Sequence, residues 1–199
     1  GHEEGYIVAT TSSSENFDVG TEDFSVEMWI RPHSGIDGAI TAISTFKDVN
    51  GDTIDGDPKG YLLIQYAGRN YSTSGYRGDF GLYMRDYHAG GAGGTTPWST
   101  TNWPGYNSGS NVLGDWVHIV LTRSGTSNKL YQNGTEIISA TSSTTYNFHS
   151  SNNAAVRLFW ESSDDDWGRF SALRIYKGTA LSSSDITAHF DGEKADYGY

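Results

Sequence analysis

The sequence predicts an all-β fold, a two-sheet antiparallel sandwich closed by one short C-terminal helix. Three observations carry this. Short apolar runs with period-2 alternation recur along the chain, each bounded by Gly, Pro, Asn, Asp or Ser. Only one segment has the chemistry of a helix start, so strands do not alternate with helices as a parallel α/β sheet requires. Finally, Asn133-Gly134 stands between two strand-like runs. That dipeptide suits a type I′ hairpin turn, whose two central residues both need positive φ.

In chain order, the first strand is Phe24-Ser25-Val26-Glu27-Met28-Trp29-Ile30-Arg31. Alternation puts Phe24, Val26, Met28 and Ile30 on one face and Glu27, Trp29 and Arg31 on the other, and Pro32 stops the run. Strands follow at Ala39 to Phe46, Tyr61 to Tyr66, Phe80 to Arg85 and Trp116 to Arg123. The hairpin occupies Lys129 to Ile138. Val156 to Glu161 and Phe170 to Tyr176 are two more strands, joined by the acidic turn Ser162 to Asp166. Ser182-Ser183-Ser184-Asp185 supplies capping hydroxyls and a first-turn carboxylate for a helix over Ile186 to Phe190, with Gly192 closing it. The expected core is Phe24, Val26, Met28, Ile30, Leu82, Ile119, Leu121, Leu173 and Ile175. No internal repeat or linker is visible, so residues 1–199 read as a single domain. The Gly-rich stretch His88 to Gly94 reads as a long surface loop inside it.

Composition narrows the partners. The 199 residues carry a formal net charge of −11, which excludes a phosphate backbone held by clustered Lys and Arg. There is no cysteine, hence no disulfide framework, zinc-thiolate site or thiol nucleophile. No apolar run reaches the length of a membrane-spanning helix. Aromatics make up 14% of the chain, with 13 Tyr and 6 Trp, against 19% charged residues. Tyr, Trp, Ser, Gly and Asn together suit a surface that recognises ligands by stacking and adaptable hydrogen bonds.

Three segments carry a family resemblance. Phe24-Ser25-Val26-Glu27-Met28-Trp29-Ile30-Arg31-Pro32 is the first. The second is Trp116-Val117-His118-Ile119-Val120-Leu121-Thr122-Arg123 followed by Leu130-Tyr131-Gln132-Asn133-Gly134, and the third runs from Phe170 through Arg174-Ile175-Tyr176 to Ala180-Leu181-Ser182. In this order they resemble the laminin-G-like jelly rolls of the concanavalin A-like lectin and glucanase superfamily. The resemblance spans nearly the whole chain and implies two antiparallel sheets with a concave face and loops at a rim. Cysteine-free versions resemble those in phage, bacterial and marine-virus structural or adhesin proteins. The chain departs from the pattern at Ser171 and Ala172, where the family carries Gly shortly before the last strand. The fold hosts lectins, adhesion modules, glucanases, lyases and architectural domains alike, so the site must decide function.

Retaining glucanases of this superfamily need an acid and a nucleophile about 5 Å apart, set on one strand face as Glu-x-Asp-x-Glu. The chain has no such run: Glu22 and Asp23 precede the strand and leave Glu27 alone on it. The lyase signatures Arg-x-Glu-Leu-Arg and Gln-Ile-His are also missing. His2, His33, His88, His118, His149 and His189 show no paired metal-ligand spacing, and His118 reads as a structural histidine. A non-enzyme is therefore expected, with no catalytic residue.

The aromatic loop is the expected recognition site, with Tyr71, Tyr76, Tyr87, His88, Trp98, Trp103 and Tyr106 as the ligand-binding residues among Gly, Ser, Thr and Asn. Oxygen ligands concentrate in Asp48, Asn50, Asp52, Asp55 and Asp57, a composition that hard cations prefer and that makes calcium the expected cofactor, if any. It does not follow the EF-hand pattern, since Thr53 and Lys59 stand where Gly and Glu belong. Laminin-G-like domains hold calcium at a rim loop, which makes Asp164-Asp165-Asp166 a second candidate by resemblance. Asn70-Tyr71-Ser72 and Asn133-Gly134-Thr135 fit the glycosylation acceptor pattern. The first expectation is a non-catalytic carbohydrate-binding or adhesion module with a glycan or neighbouring subunit as partner. The alternative is an assembly or decoration domain of a virion, filament or cell-surface layer, and the third reading is a glycan hydrolase or lyase. All place the chain extracellularly, on a cell surface or on a virion, as part of a homo-oligomer or larger assembly in the second case.

Overall fold

The structure, a computed structural model, describes residues 7–9, 21–32, 39–48, 61–67, 79–85, 114–141, 154–160 and 168–199. Side chains are described for 21–31, 114–139, 141 and 169–199. In order, the strands are β1 (Ile7–Ala9), β2 (Phe24–Pro32), β3 (Ala39–Asp48), β4 (Tyr61–Ala67), β5 (Asp79–Arg85), β6 (Val117–Ser124), β7 (Ser127–Gln132), β8 (Thr135–Thr141), β9 (Ala154–Trp160) and β10 (Gly168–Lys177). Helix α1 (Ser183–Glu193) and a 3₁₀ helix (Lys194–Tyr197) follow.

The chain divides into two compact units. One holds a five-stranded antiparallel sheet in the order β1-β9-β3-β4-β5. Its long pairings are β3 with β4 and β9, and β4 with β5 through Tyr61↔Arg85 to Ala67↔Asp79. The side chain of Leu82, expected in the core, lies outside the described residues. The other unit holds the sheet β10-β2-β6-β7-β8, also antiparallel, together with α1 and the 3₁₀ helix.

In this second unit the alternation of β2 and β6 sets the core. Phe24, Val26, Met28 and Ile30 pair with Arg123, Leu121, Ile119 and Val117, and all eight are buried. Leu173 and Ile175 are half-buried rather than fully enclosed. The opposite face is buried as well: Ser25, Glu27, Trp29 and His118 are each 0% exposed. Arg123 lies over the Phe24 ring at 4.6 Å and donates from Nε to the Glu22 carbonyl at 3.0 Å. Burial lowers its pKa to about 10 against the opposing pull of Asp23.

The hairpin forms as expected, with Asn133 at φ 51° and Gly134 at φ 78° between β7 and β8. Positive φ at both positions is the type I′ requirement that Asn and Gly meet at least cost. Ser182 caps α1: its Oγ accepts from the Asp185 N–H, and the Asp185 carboxylate accepts from the Ser182 N–H at 3.1 Å. Gly192 does not end the helix, contrary to the sequence expectation. The helix runs through Gly192 to Glu193 and tightens into the 3₁₀ turn, and the left-handed residue is Gly198 at φ 91°. Side chains on the turn beyond Gly192 are held by the sheet, and such tertiary contacts override a weak local stop signal.

β10 carries a bulge. Ser171 pairs with Trp29 and Arg174 with Glu27, so Ala172 and Leu173 together oppose Met28. A one-residue insertion reverses which face later residues occupy. Ser171, Arg174 and Tyr176 consequently share the face of Trp29 and Glu27. Ala172 takes φ 51° to make the turn, at the very place where the family pattern carries Gly.

Candidate functional site

The densest described chemistry sits where α1 covers the Glu27 face of the sheet. Glu27 Oε1 accepts from His118 Nε2 on β6 at 2.8 Å, and Oε2 accepts from the Tyr176 hydroxyl on β10 at 2.8 Å. His189 Nδ1 on α1 lies 3.2 Å from both oxygens, and Arg174 Nη1 lies 3.4 Å from Oε1. Glu193 completes the layer, accepting from Arg174 Nη2 at 2.6 Å and from the Trp29 indole at 2.8 Å.

Burial on its own pushes the Glu27 carboxyl up. The hydrogen bonds from His118 and Tyr176 and the neighbouring imidazoles outweigh it and hold the pKa at about 2. Burial and the bond to this carboxylate in turn push the Tyr176 phenol up to about 12. Glu27 is thus an ionised acceptor across the neutral range. A general acid needs the opposite, a carboxyl that keeps its proton near working pH and can reach a substrate. The arrangement can anchor a helix to a sheet; proton delivery to a bound sugar is not chemistry it offers.

Aromatic packing extends the anchor. Tyr197 stacks on Trp29 at 3.9 Å between centroids with planes 10° apart, Phe190 stacks on the same indole at 5.8 Å, and Trp116 meets Tyr197 edge-on at 5.1 Å. Ile186 is buried with Val120 and Tyr131, and Leu181 packs against them. Ile186, His189, Phe190 and Glu193 follow the i, i+3, i+4, i+7 spacing of one helix face. That spacing was present in the sequence, yet His189, Glu193, Arg174 and Tyr176 were not expected to converge on Glu27. Leu173 and Ile175 were rightly expected on the core face, which turns Arg174 and Tyr176 to the other side, but no local signal pairs β10 with β2 or sets α1 over them.

The expected ligand-binding residues Tyr71, Tyr76, Tyr87, His88, Trp98, Trp103 and Tyr106 lie outside the described residues, as do Asn50, Asp52, Asp55, Asp57 and the run Asp164 to Asp166. Asp48 is the last residue of β3, with its backbone alone described. Among the described residues no group of three or more His, Asp or Glu is arranged to hold a metal ion. No described helix is long and apolar enough to cross a membrane.

Comparison with known proteins relates this geometry to a family. The chain's fold is similar to the receptor binding domain of botulinum neurotoxin D, with TM-score 0.60 and 16% identity over 96% of this chain and 43% of that one. It is similar to the botulinum neurotoxin serotype D ligand binding domain in complex with N-acetylneuraminic acid, with TM-score 0.55 and 15% identity over 96% of this chain and 41% of that one. It is also similar to domain 4 of AbnA, a GH43 extracellular arabinanase from Geobacillus stearothermophilus, in complex with arabinotriose. That match has TM-score 0.54 and 21% identity over 94% of this chain and 79% of the other. The chain thus spans about two fifths of the toxin chains, and identities this low speak for the fold alone. No curated protein sequence matches the chain. The family model Laminin_G_3 matches residues 3–187, almost the entire chain, and the two antiparallel five-stranded sheets with one C-terminal helix agree with it. The chain belongs to the Concanavalin A-like lectin/glucanases superfamily, and its fold class is the all-β, concanavalin A-like jelly-roll sandwich.

Proposed function

We propose that the chain is a non-catalytic carbohydrate-binding module, a single domain over residues 1–199 that works outside the cell or at a cell or virion surface. The observation that carries this reading is the fold shared with two domains whose structures contain a bound sugar, one N-acetylneuraminic acid and one arabinotriose. The state of Glu27 supports the non-catalytic part, because the carboxylate buried in the described face is ionised and fully engaged. The recognition surface is assigned to Tyr71, Tyr76, Tyr87, His88, Trp98, Trp103 and Tyr106. Flat rings among small polar residues suit the C–H faces and hydroxyls of a saccharide. Calcium at Asp48, Asn50, Asp52, Asp55 and Asp57 would order the neighbouring loop.

The test is saturable binding of the isolated chain to a glycan array that includes N-acetylneuraminic acid and arabinose oligomers. Trp98→Ala with Trp103→Ala should abolish that binding while leaving the melting temperature near wild type, since Trp at a recognition site commonly contributes about 2 kcal/mol or more. Self-association without sugar binding would replace this reading with an assembly domain, and release of product from a polysaccharide would replace it with a hydrolase. If calcium binds, a chelator should remove about 2.7 kcal/mol of stability measured at a hundredfold excess of the ion over its dissociation constant.

A further inference from the structure

The hairpin turn Asn133-Gly134 joins three parts of the second unit. Asn133 Oδ1 accepts from the His118 N–H at 2.9 Å, and the Asn133 N–H donates to the His118 carbonyl at 2.9 Å. Asn133 Nδ2 donates to the Tyr199 hydroxyl at 3.0 Å, and that hydroxyl donates to the Trp116 carbonyl at 2.5 Å. Thr187 Oγ1 on α1 donates to the Gly134 carbonyl at 3.2 Å. A methyl group placed on Gly134 would lie 3.5 Å from both Phe190 Cδ1 and Thr187 Cα, so the helix closes over the turn.

Asn followed by Gly is also the dipeptide best suited to attack on itself, because no side chain crowds the glycine nitrogen. We propose that Asn133 is a latent self-modification site, a deamidation through a cyclic imide that the C-terminal tail holds shut.

The chemistry needs only the chain and water. The Gly134 nitrogen attacks Asn133 Cγ: the N–Cγ bond forms, the Cγ–Nδ2 bond breaks, and Nδ2 leaves as ammonia with the proton given up by Gly134. Water then opens the imide. Cleavage at Cγ leaves an ordinary aspartate, and cleavage at the main-chain carbonyl leaves an isoaspartate whose backbone runs through Cγ. No atom is oxidised or reduced.

The fold opposes the first step because ring closure must swing Cγ away from both hydrogen-bond partners of the amide. One partner, the His118 N–H, belongs to a fully buried residue of β6. The other, Tyr199, is 53% exposed and follows a 3₁₀ helix that has no buried residue. Segments with few buried contacts open at lowest cost, and Gly198 and Tyr199 lie beyond the stacked Tyr197, so these last two residues are the gate. Its opening frees one end of the amide. The product cannot be held as the amide was, since a carboxylate has no N–H to give Tyr199 and could keep that hydroxyl only by taking the donor bond that now goes to the Trp116 carbonyl. Modification therefore makes the release of the tail one-way, and the isoaspartate lengthens the turn and parts it from α1.

Long incubation of the full chain at neutral pH, followed by peptide mapping that separates residue 133 from the other Asn-Gly pair at Asn50, tests this. Asn133 should convert more slowly in the folded chain than in a synthetic peptide of residues 131–136. Tyr199→Phe, which keeps the ring and removes the hydroxyl, should convert about fivefold faster than wild type, the factor that one hydrogen bond of ordinary net worth represents. Asn133→Asp, mimicking the product, should speed hydrogen exchange at Gly198 and Tyr199 without unfolding β6. Conversion of the folded chain at the peptide's rate, or of Tyr199→Phe no faster than wild type, overturns the gate. An Asn133→Asp variant with an unchanged tail overturns the release.

Discussion

On one face of the β10-β2-β6 sheet, Phe24, Val26, Met28, Ile30, Ile119 and Leu121 exclude water with hydrocarbon. On the other, Ser25, Glu27, Trp29 and His118 reach the same burial with hydrogen bonds and rings. The difference lies in what each face demands of its cover. An apolar face accepts any surface of suitable shape, and volume-conserving changes are tolerated. A face centred on an ionised carboxylate accepts only a cover that supplies donors, because an uncompensated buried charge costs several kcal/mol. His118, Tyr176 and Arg174 supply donors from the sheet itself and His189 supplies the one from the cover, so α1 is specified by His189 as well as by Ile186.

The largest expected effect comes from breaking the polar face. Glu27→Ala leaves His118, Tyr176 and Arg174 without their shared acceptor and should cost about 3 to 5 kcal/mol, read from denaturant unfolding. Ile119→Ala on the apolar face should cost about 2 to 5 kcal/mol through lost burial and a cavity. pH separates the two. The folded Glu27 pKa of about 2 lies below its ordinary 4.5, so its contribution is present above 4.5 and is lost as pH falls from 4.5 through 2. At 1.36 kcal/mol per unit, that contribution is on the order of 3 kcal/mol. Ile119→Ala should keep this acid limb in its stability profile and Glu27→Ala should lose it. Identical profiles would mean that Glu27 does not carry the linkage.

Tyr176→Phe removes one donor and keeps the ring. Loss of a hydrogen bond to a charged group should cost about 1.5 to 3 kcal/mol. The folded phenol at about 12, above its ordinary 10, contributes stability that is present below pH 10 and lost as pH rises through 12. The variant should lack that alkaline limb, and spectrophotometric titration of the tyrosines should lose one late-ionising phenol.

The apolar face was legible in the sequence because alternation at Phe24, Val26, Met28 and Ile30 needs no knowledge of partners, and Asn133-Gly134 fixed its turn by local stereochemistry alone. Ser182 and Asp185 marked the start of α1 for the same reason. The polar cluster was not legible, since Glu27, His118 and His189 lie 91 and 162 positions apart in their pairings and only tertiary structure brings them together. Period-2 counting also fails when carried across Ala172, where the bulge puts Phe170 and Ile175 on the same face.

A smaller effect is expected at the boundary of the polar cover. Ser182→Ala removes the oxygen that caps the Asp185 N–H, and loss of such a cap should cost about 1 kcal/mol. Hydrogen exchange should rise in the first turn of α1 ahead of Glu193, because the far end of the helix is held by Arg174 and Trp29.

The smallest effect has the opposite sign and tests the device that gives β10 its polar face. Ala172 at φ 51° occupies a region that an L-residue with a Cβ enters at a cost of about 1 kcal/mol, and glycine enters it without that cost. Glycine in turn gives the unfolded chain more freedom, which offsets part of the gain. Ala172→Gly should therefore stabilise the chain by about 0.5 kcal/mol, the balance of those opposing effects. The bulge itself should persist, because Ser171 is tied to Tyr197 through its Oγ and Arg174 to Glu193, so the Glu27 acid limb should be unchanged. Deleting Ala172 instead straightens the strand and turns Ser171 and the residues before it to the opposite face. That variant should lose more stability than Tyr176→Phe. If deletion is neutral, or if Ala172→Gly destabilises, the left-handed bulge is not what aligns β10 beneath the helix.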